Sequence, residues 1–153
     1  ICNLGVWMSN IHLLGGQEMI QEASATVKKS NSDMILVGVT ILTSLNENNL
    51  VELGFNSSAE EIAIKLAKLG KQNGVDGVVC SIEDISGIKA SLGGDFLSVT
   101  PGVRMSQDND DQKRSGSIYN AIQFGTDFVV VGREITQAKN PEGVLKKIES
   151  LIV

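Results

Sequence analysis

The chain has 153 residues, enough for one folded domain but fewer than the roughly 250 that a complete eight-fold βα barrel usually needs. Hydrophobic residues make up 42% of the chain and charged residues 20%, which excludes a fibrous or disordered class of protein. The net charge of −5 supplies no basic face for a phosphate backbone, so we expect no nucleic-acid partner.

Short apolar runs alternate along the chain with longer segments of helical period, a pattern typical of βα units around a parallel sheet. The five predicted strands are 6–13, 33–42, 77–80, 96–100 and 127–131. The predicted helices are 17–29, 58–73, 83–91, 117–124 and a last one to the end of the chain, with Asn140 as its cap and Pro141 at its first position. We therefore predict an α/β fold of five βα units in a single domain, 1–153.

Local signals support several of these boundaries. The run DMILVGVTIL, 33–42, is nearly continuous in apolar residues, as in strands that are buried on both faces of a parallel sheet. Ser58 precedes an acidic first turn and is predicted to cap its helix, and Pro101 is expected to end the fourth strand. Trp7, the single tryptophan, is predicted to lie in the core.

Two architectures accommodate five parallel units. In a (β/α)8 TIM barrel they would form part of a larger ring, because five units do not close a barrel by themselves. The alternative is an open five-stranded parallel sheet with helices on both faces. The chain begins at Ile1 without a methionine, and we expect that its natural N-terminal segment is missing.

The cysteines and the hydropathy pattern indicate the cellular compartment in which the protein is expected. Cys2 and Cys80 lie far apart and lack CxxC spacing, so they predict neither a disulfide framework nor a zinc site. No apolar run is long enough to span a bilayer, and no signal peptide is recognisable. We expect a cytoplasmic protein without a membrane partner.

Candidate functional residues follow the predicted strands, since the active site of a βα barrel lies where strands end. Gly132 and Arg133 stand out in the segment VVVGRE, because a glycine lets backbone N–H groups approach an oxyanion and an arginine offers a forked donor for phosphate. An arginine that caps a loop or pairs with a surface acid is the alternative interpretation. The polar residues at the strand ends are His12, Thr43-Ser44, Ser81, Arg104, Gln112 and Gly132-Arg133.

Two of these positions allow further interpretation. The segment TPGVR, 100–104, makes a sharp turn, and the polar loop after it could close over a ligand or be an ordinary solvated loop. His12, the only histidine, could act as a general acid or base, or be a hydrogen-bonded scaffold residue. No catalytic triad can be assembled around it.

Six ordered segments resemble the bacterial type of the orotidine 5'-phosphate decarboxylase family, and together they cover essentially the whole chain. They are LGVWMSNIH with GG, VTILTSL, GVDGVVCS, VTPGVR, DDQKR and GTDFVVVGREIT. The resemblance implies decarboxylation of orotidine 5'-monophosphate to UMP without a cofactor or a metal. It also implies a homodimer of (β/α)8 barrels, of which this chain would be the C-terminal part.

The resemblance also assigns roles to residues. The threonine that contacts the pyrimidine falls on Thr43, with Ser44 beside it. The ligand-gripping loop contributes Arg104 and Gln112. The phosphate would be held by the pair 132–133, Gly-Arg.

The sequence departs from the family in several places. Met105 and Glu134 stand where proline is usual, Leu13-Leu14 replaces a small pair, and the loop between 104 and 112 is one residue shorter than is common. The family's catalytic Asp-x-Lys-x-x-Asp motif does not occur in this sequence, so no catalytic residue is predicted in the chain. The missing motif leaves open a catalytically incomplete phosphate-binding half-barrel. A related sugar-phosphate decarboxylase or epimerase is a second alternative, against which the LTS and DQKR segments argue.

Overall fold

The computed structural model describes residues 1–30, 33–105 and 116–152. Within these ranges no helix combines the length and the hydropathy that crossing a membrane requires. The strands are β1 Met8–His12, β2 Ile35–Val39, β3 Gly77–Val79, β4 Leu97–Pro101, β5 Val103–Arg104, β6 Gly116–Ser117 and β7 Phe128–Val130. The α-helices are α1 Gly16–Lys29, α2 Glu47–Glu52, α3 Ala59–Gln72, α4 Ile85–Leu92, α5 Ile118–Gln123, α6 Arg133–Thr136 and α7 Pro141–Ile152.

The main sheet has five strands in the order β1-β2-β3-β4-β7. Every neighbouring pair is parallel, and the order in space follows the order in the chain. A doubly wound open sheet requires a point at which the strand order reverses. The sequential order is instead that of a barrel wall, and it decides between the two architectures that the sequence allowed.

The helices cover one face of this sheet. Leu36 of β2, Val78 of β3 and Val129 of β7 point to the same side by the register of the pairs, and all three belong to or pack against one hydrophobic core. Side chains from the helices also contribute to that core, among them Ile20, Ile62, Leu66, Ile88, Ala121 and Ile148. The opposite face therefore corresponds to the interior of a barrel.

Leu13 anchors the end of β1 in the core. Its side chain is fully buried and lies between Gly38 of β2 and Gly70 of α3. A Cβ on Gly38 would overlap Leu13 Cδ2, and one on Gly70 would lie 3.1 Å from the same atom. The two glycines therefore provide the space for a leucine at a position where the family resemblance implies a smaller residue.

Two aspartates tie the amino ends of the strands together. Asp76 precedes β3, and its Oδ2 accepts the Leu36 N–H of the neighbouring strand at 2.8 Å. Asp127 precedes β7, and its Oδ2 accepts the Ser98 N–H at 2.7 Å. The same Gly-x-Asp arrangement thus recurs in two βα units, at the end of the sheet opposite the predicted site.

Asp127 also forms an ion pair. Lys89 Nζ lies 2.7 Å from Asp127 Oδ2 and donates to the carbonyl oxygens of Gly94 and Phe96 at 2.8 and 3.0 Å. Burial raises the pKa of the Asp127 carboxyl, but hydrogen bonds from Lys89 and Ser98 outweigh that effect, and the net pKa lies below its ordinary value. The charged form of Asp127 is therefore favoured in the folded chain.

Both predicted helix caps are confirmed. Ser58 Oγ accepts the Glu61 N–H at 3.2 Å, and Glu61 Oε2 accepts the Ser58 N–H at the same distance. Asn140 Oδ1 accepts the Gly143 N–H at 3.0 Å, and α7 begins at Pro141.

The prediction for Trp7 is wrong. Its side chain is 61% exposed, because it lies just before an outer strand that has a described neighbour on one side only. The predicted first two strands also extend beyond the hydrogen-bonded ladders. The apolar residues at the ends of these predicted strands, such as Leu13 and Ile41, lie after β1 and β2 in the structure. Their side chains are buried in the hydrophobic core.

Candidate functional site

The carboxyl ends of the five parallel strands meet at one edge of the sheet, the position of active sites in βα barrels. His12 is the last residue of β1 and is exposed. By register it lies beside Val39 on the face opposite the helices. Of the residues that the sequence analysis selected after the other strands, Thr43, Ser44, Ser81, Arg104, Gly132 and Arg133 are described, and they lie at the same edge.

Thr43 and Ser44 lie in the turn between β2 and α2. The turn is closed by a hydrogen bond from the Leu45 N–H to the Leu42 carbonyl oxygen at 3.0 Å. Thr43 is half-buried and Ser44 is exposed. The turn follows β2, and in the sheet β3 lies between β2 and β4.

Arg104 follows β4 after a sharp turn. Gly102 has a φ of 76°, a left-handed conformation that glycine adopts without steric cost. The chain then forms β5, in which Val103 is buried and Arg104 pairs with Ser117 of β6. Arg104 is half-buried. The burial of Val103 and the pairing of β5 with β6 hold its backbone in position.

Gly132 and Arg133 follow β7. The Gly132 carbonyl oxygen accepts the N–H groups of Ile135 and Thr136 at 2.9 and 3.1 Å, which starts α6. Arg133 is the first residue of α6 and is exposed. Apart from Gly132 and its chain neighbours, no described residue has an atom within 4 Å of a Cβ built on Gly132, so the space beside this backbone is open among the described residues.

A hydrogen bond between described residues joins the two arginine-bearing segments. The Met105 N–H donates to Glu134 Oε2 at 3.0 Å, across 29 residues of sequence. Met105 directly follows Arg104 and Glu134 directly follows Arg133, so the bond brings the backbones of both arginines to the same place. Gln112, the remaining predicted phosphate ligand, lies outside the described residues.

The structure also reveals contacts that sequence reasoning did not identify. Ser81 Oγ donates to Asp84 Oδ2 at 2.8 Å, and both residues are fully buried. This Ser-x-x-Asp pair caps the short 3₁₀ helix Ile82–Asp84 after β3, and its spacing was a readable capping signal. Glu134 was visible only as a departure from the usual proline, and no local pattern pointed to its partner.

Comparison with known proteins identifies what this arrangement resembles. The family model described as Orotidine 5'-phosphate decarboxylase / HUMPS family matches residues 1–148. An orotidine 5'-phosphate decarboxylase from Neisseria meningitidis serogroup A is 40% identical over 148 residues, which cover 95% of this chain and 60% of the relative. The corresponding protein from Vibrio parahaemolyticus is 44% identical over 147 residues, or 95% of this chain and 63% of the relative. The chain thus spans about 60% of the length of such relatives.

Solved structures agree with the fold. A crystal structure of orotidine 5'-phosphate decarboxylase from Lactobacillus acidophilus has a TM-score of 0.84 at 32% identity, with 98% of this chain and 65% of that chain covered. The enzyme structure from Pyrococcus horikoshii has a TM-score of 0.68 at 18% identity, covering 98% of this chain and 62% of that chain. The second likeness bears on the fold alone, which is that of part of a TIM barrel.

Proposed function

Because the chain belongs to the orotidine 5'-phosphate decarboxylase / HUMPS family, we propose that it carries the phosphate-binding part of an enzyme that converts orotidine 5'-monophosphate to UMP. The whole reaction is a proposal, since the chain spans about 60% of its relatives. In this proposal residues 1–153 form one domain, the C-terminal part of a (β/α)8 barrel in a cytoplasmic homodimer. The proposed activity uses neither a metal nor a cofactor.

The hydrogen bond between Met105 and Glu134 is the main support. It places Arg104 and Arg133 on adjacent backbone segments at the edge where the strands end. Two guanidinium groups offer forked donors that match the oxygens of a phosphate dianion. The open space at Gly132 leaves room for the same phosphate to approach the backbone.

The remaining assignments follow the family resemblance. A phosphate between Arg104 and Arg133 would direct the nucleoside along the sheet edge towards the β2–α2 turn. Thr43, with Ser44 beside it, would contact the pyrimidine, and Gln112 would bind the phosphate together with Arg104.

The chemistry of decarboxylation explains why binding of the phosphate group, which is remote from the reacting carbon, matters for the reaction. The carboxylate carbon leaves as carbon dioxide, the electron pair stays on C6 in the plane of the ring, and a proton then adds to that carbon. The ring π-system cannot delocalise this charge, so the enzyme must stabilise it electrostatically. Binding energy from the remote phosphate can offset the cost of holding charged groups in a dry pocket. The Asp-x-Lys-x-x-Asp motif expected to perform the proton transfer is not in this sequence.

Calorimetric titration of the chain with UMP, uridine and a pentulose phosphate tests the proposal. We expect UMP to bind, uridine to bind at least about tenfold more weakly because the charge-assisted bonds are lost, and the pentulose phosphate to bind more weakly than UMP. Equal affinity for UMP and uridine would refute the proposal that this site binds the phosphate group. Preference for the pentulose phosphate would favour a sugar-phosphate enzyme instead.

An absorbance assay with orotidine 5'-monophosphate examines the reaction itself. Because the catalytic motif is not in the sequence, we expect this chain alone to bind nucleotide without consuming orotidine 5'-monophosphate. Turnover by the isolated chain would show that another group performs the proton transfer, and the assignment of catalysis to the absent motif would then fail.

A further inference from the structure

The two arginine-bearing segments have little structure of their own to fix their spacing. Arg104 lies on β5, which has two residues, and Arg133 begins α6, which has four. Helices and ladders of this length are marginal without tertiary support. Tertiary contacts, among them any that join the two segments, must therefore set their relative position.

Glu134 provides such a contact. Its Oε2 accepts the Met105 N–H at 3.0 Å, and both residues are half-buried. A hydrogen bond to an ionised carboxylate is stronger than one between neutral groups. Water also competes less well for a half-buried bond than for an exposed one. The bond therefore joins the segments at the residues that follow the two arginines.

The donor in this hydrogen bond is a backbone N–H, and this matters for binding of the ligand. Glu134 receives a backbone N–H in this bond, so the bond itself occupies neither guanidinium group. Glu134 can therefore hold the segments together without taking the donors that a phosphate needs.

We propose that Glu134 is a positioning residue that sets the spacing of Arg104 and Arg133 through its hydrogen bond to the Met105 amide, and thereby sets the affinity for the phosphate group of the ligand. This inference rests on the proposed phosphate site. It adds a residue that acts on the ligand through the backbone and makes no contact with the phosphate itself.

Three variants test the role. Glu134→Ala removes the acceptor, Glu134→Gln keeps an acceptor oxygen, and Met105→Pro removes the donor N–H without touching Glu134. Glu142→Ala is the control for loss of one negative charge, because Glu142 is exposed on α7 and pairs with Lys146.

The first readout is amide hydrogen exchange at Met105, which reports the bond without any ligand. The second is the ratio of the affinities for UMP and uridine, which isolates the phosphate contribution. We expect Glu134→Ala to speed Met105 exchange and to lower the affinity ratio about tenfold, the effect of one net hydrogen bond to a charged group. Glu134→Gln and Glu142→Ala should stay within about threefold of the parent, whereas Met105→Pro should lower the ratio as Glu134→Ala does.

The possible failures can be told apart. Unchanged Met105 exchange in Glu134→Ala would overturn the inference, because the bond would then not hold the segment in solution. Faster exchange with an unchanged affinity ratio would also overturn it, since the bond would be structural only. If the parent chain does not prefer UMP to uridine while Met105 is protected, the proposed phosphate site itself fails and the positioning role fails with it.

Discussion

The indole of Trp7 and the ring of Phe128 meet edge to face, with centroids 5.2 Å apart and planes at 76°. Trp7 lies just before β1 and Phe128 opens β7, and these are the two outer strands of the five-stranded sheet. At about 4.8 Å per strand, a flat sheet would separate its outer strands by about 19 Å. The contact therefore requires a strongly curled sheet, as in the wall of a barrel.

The aromatic pair should couple the outer strands energetically. In a double-mutant cycle with Trp7→Leu and Phe128→Leu, we expect a coupling free energy of about 0.5–1.5 kcal/mol, the usual value for an edge-to-face pair. Urea unfolding followed by circular dichroism measures it. Because Trp7 is the only tryptophan, its fluorescence emission should also shift in Phe128→Leu. Additive effects and an unchanged emission would mean that the rings do not meet in solution.

Leu13 should be a stability determinant. Leu13→Ala would leave a cavity between β2 and α3 and is expected to cost about 3 kcal/mol in the free energy of unfolding. Gly38→Ala would force the Leu13 side chain aside and should cost about 1–3 kcal/mol. In the double variant the new methyl group fills part of the cavity, so the combined loss should fall short of the sum by at least about 1 kcal/mol. Strict additivity in urea unfolding would show that the two side chains do not compete for one space.

Asp127 should make stability depend on pH in the acid range. Its pKa is lowered in the folded chain, so its contribution is present above the unfolded pKa, near about 4, and is lost as the pH falls through the lower, folded value. We expect Asp127→Asn to cost about 2 kcal/mol at neutral pH, the range for hydrogen bonds to charged groups.

Urea unfolding of both proteins between neutral and acid pH gives the measurement. The difference between parent and Asp127→Asn should shrink below about pH 4. Asp95→Asn is the matched control, because Asp95 is an exposed carboxylate in the turn before β4. A difference that stays constant with pH would indicate that Asp127 acts by shape and not by charge.

Arg133 should contribute to nucleotide affinity through the phosphate alone. Arg133→Ala is expected to weaken UMP binding by about 1.5–3 kcal/mol, the range for charge-assisted hydrogen bonds, and to leave uridine binding unchanged. Arg133→Lys keeps the charge but loses the forked geometry, so it should recover part of the affinity only. A similar loss for UMP and uridine would mean that Arg133 shapes the pocket without binding the phosphate.

Much of the fold could be predicted because its signals are local. Continuous apolar runs identified β2 and β7, and the capping side chains of Ser58 and Asn140 identified the starts of α3 and α7. Helix α2 was not predicted, since ENNLVE has no apolar period. Reciprocal hydrogen bonds between Asn46 and Asn49 hold its first turn instead.

The sequence predicts where in the fold the site lies, but not the hydrogen bonds that join its segments. A parallel sheet brings its strand ends to one edge, and that rule suffices to put Arg104 and Arg133 on the same side of the molecule. The bond between Met105 and Glu134 depends on how the chain curls over 29 residues, which no local pattern encodes. The assignments of Thr43 and Gln112 to the ligand stay predictions.

The sequential strand order also bears on how the sheet is made. Within the five-stranded sheet, each strand after β1 has as a neighbour a strand that was synthesised earlier, so its pairing does not have to wait for a segment that is still to be translated. Contacts between elements close in sequence reduce the entropy lost on folding and speed it. The sheet can therefore grow at one edge as the chain leaves the ribosome, one βα unit at a time.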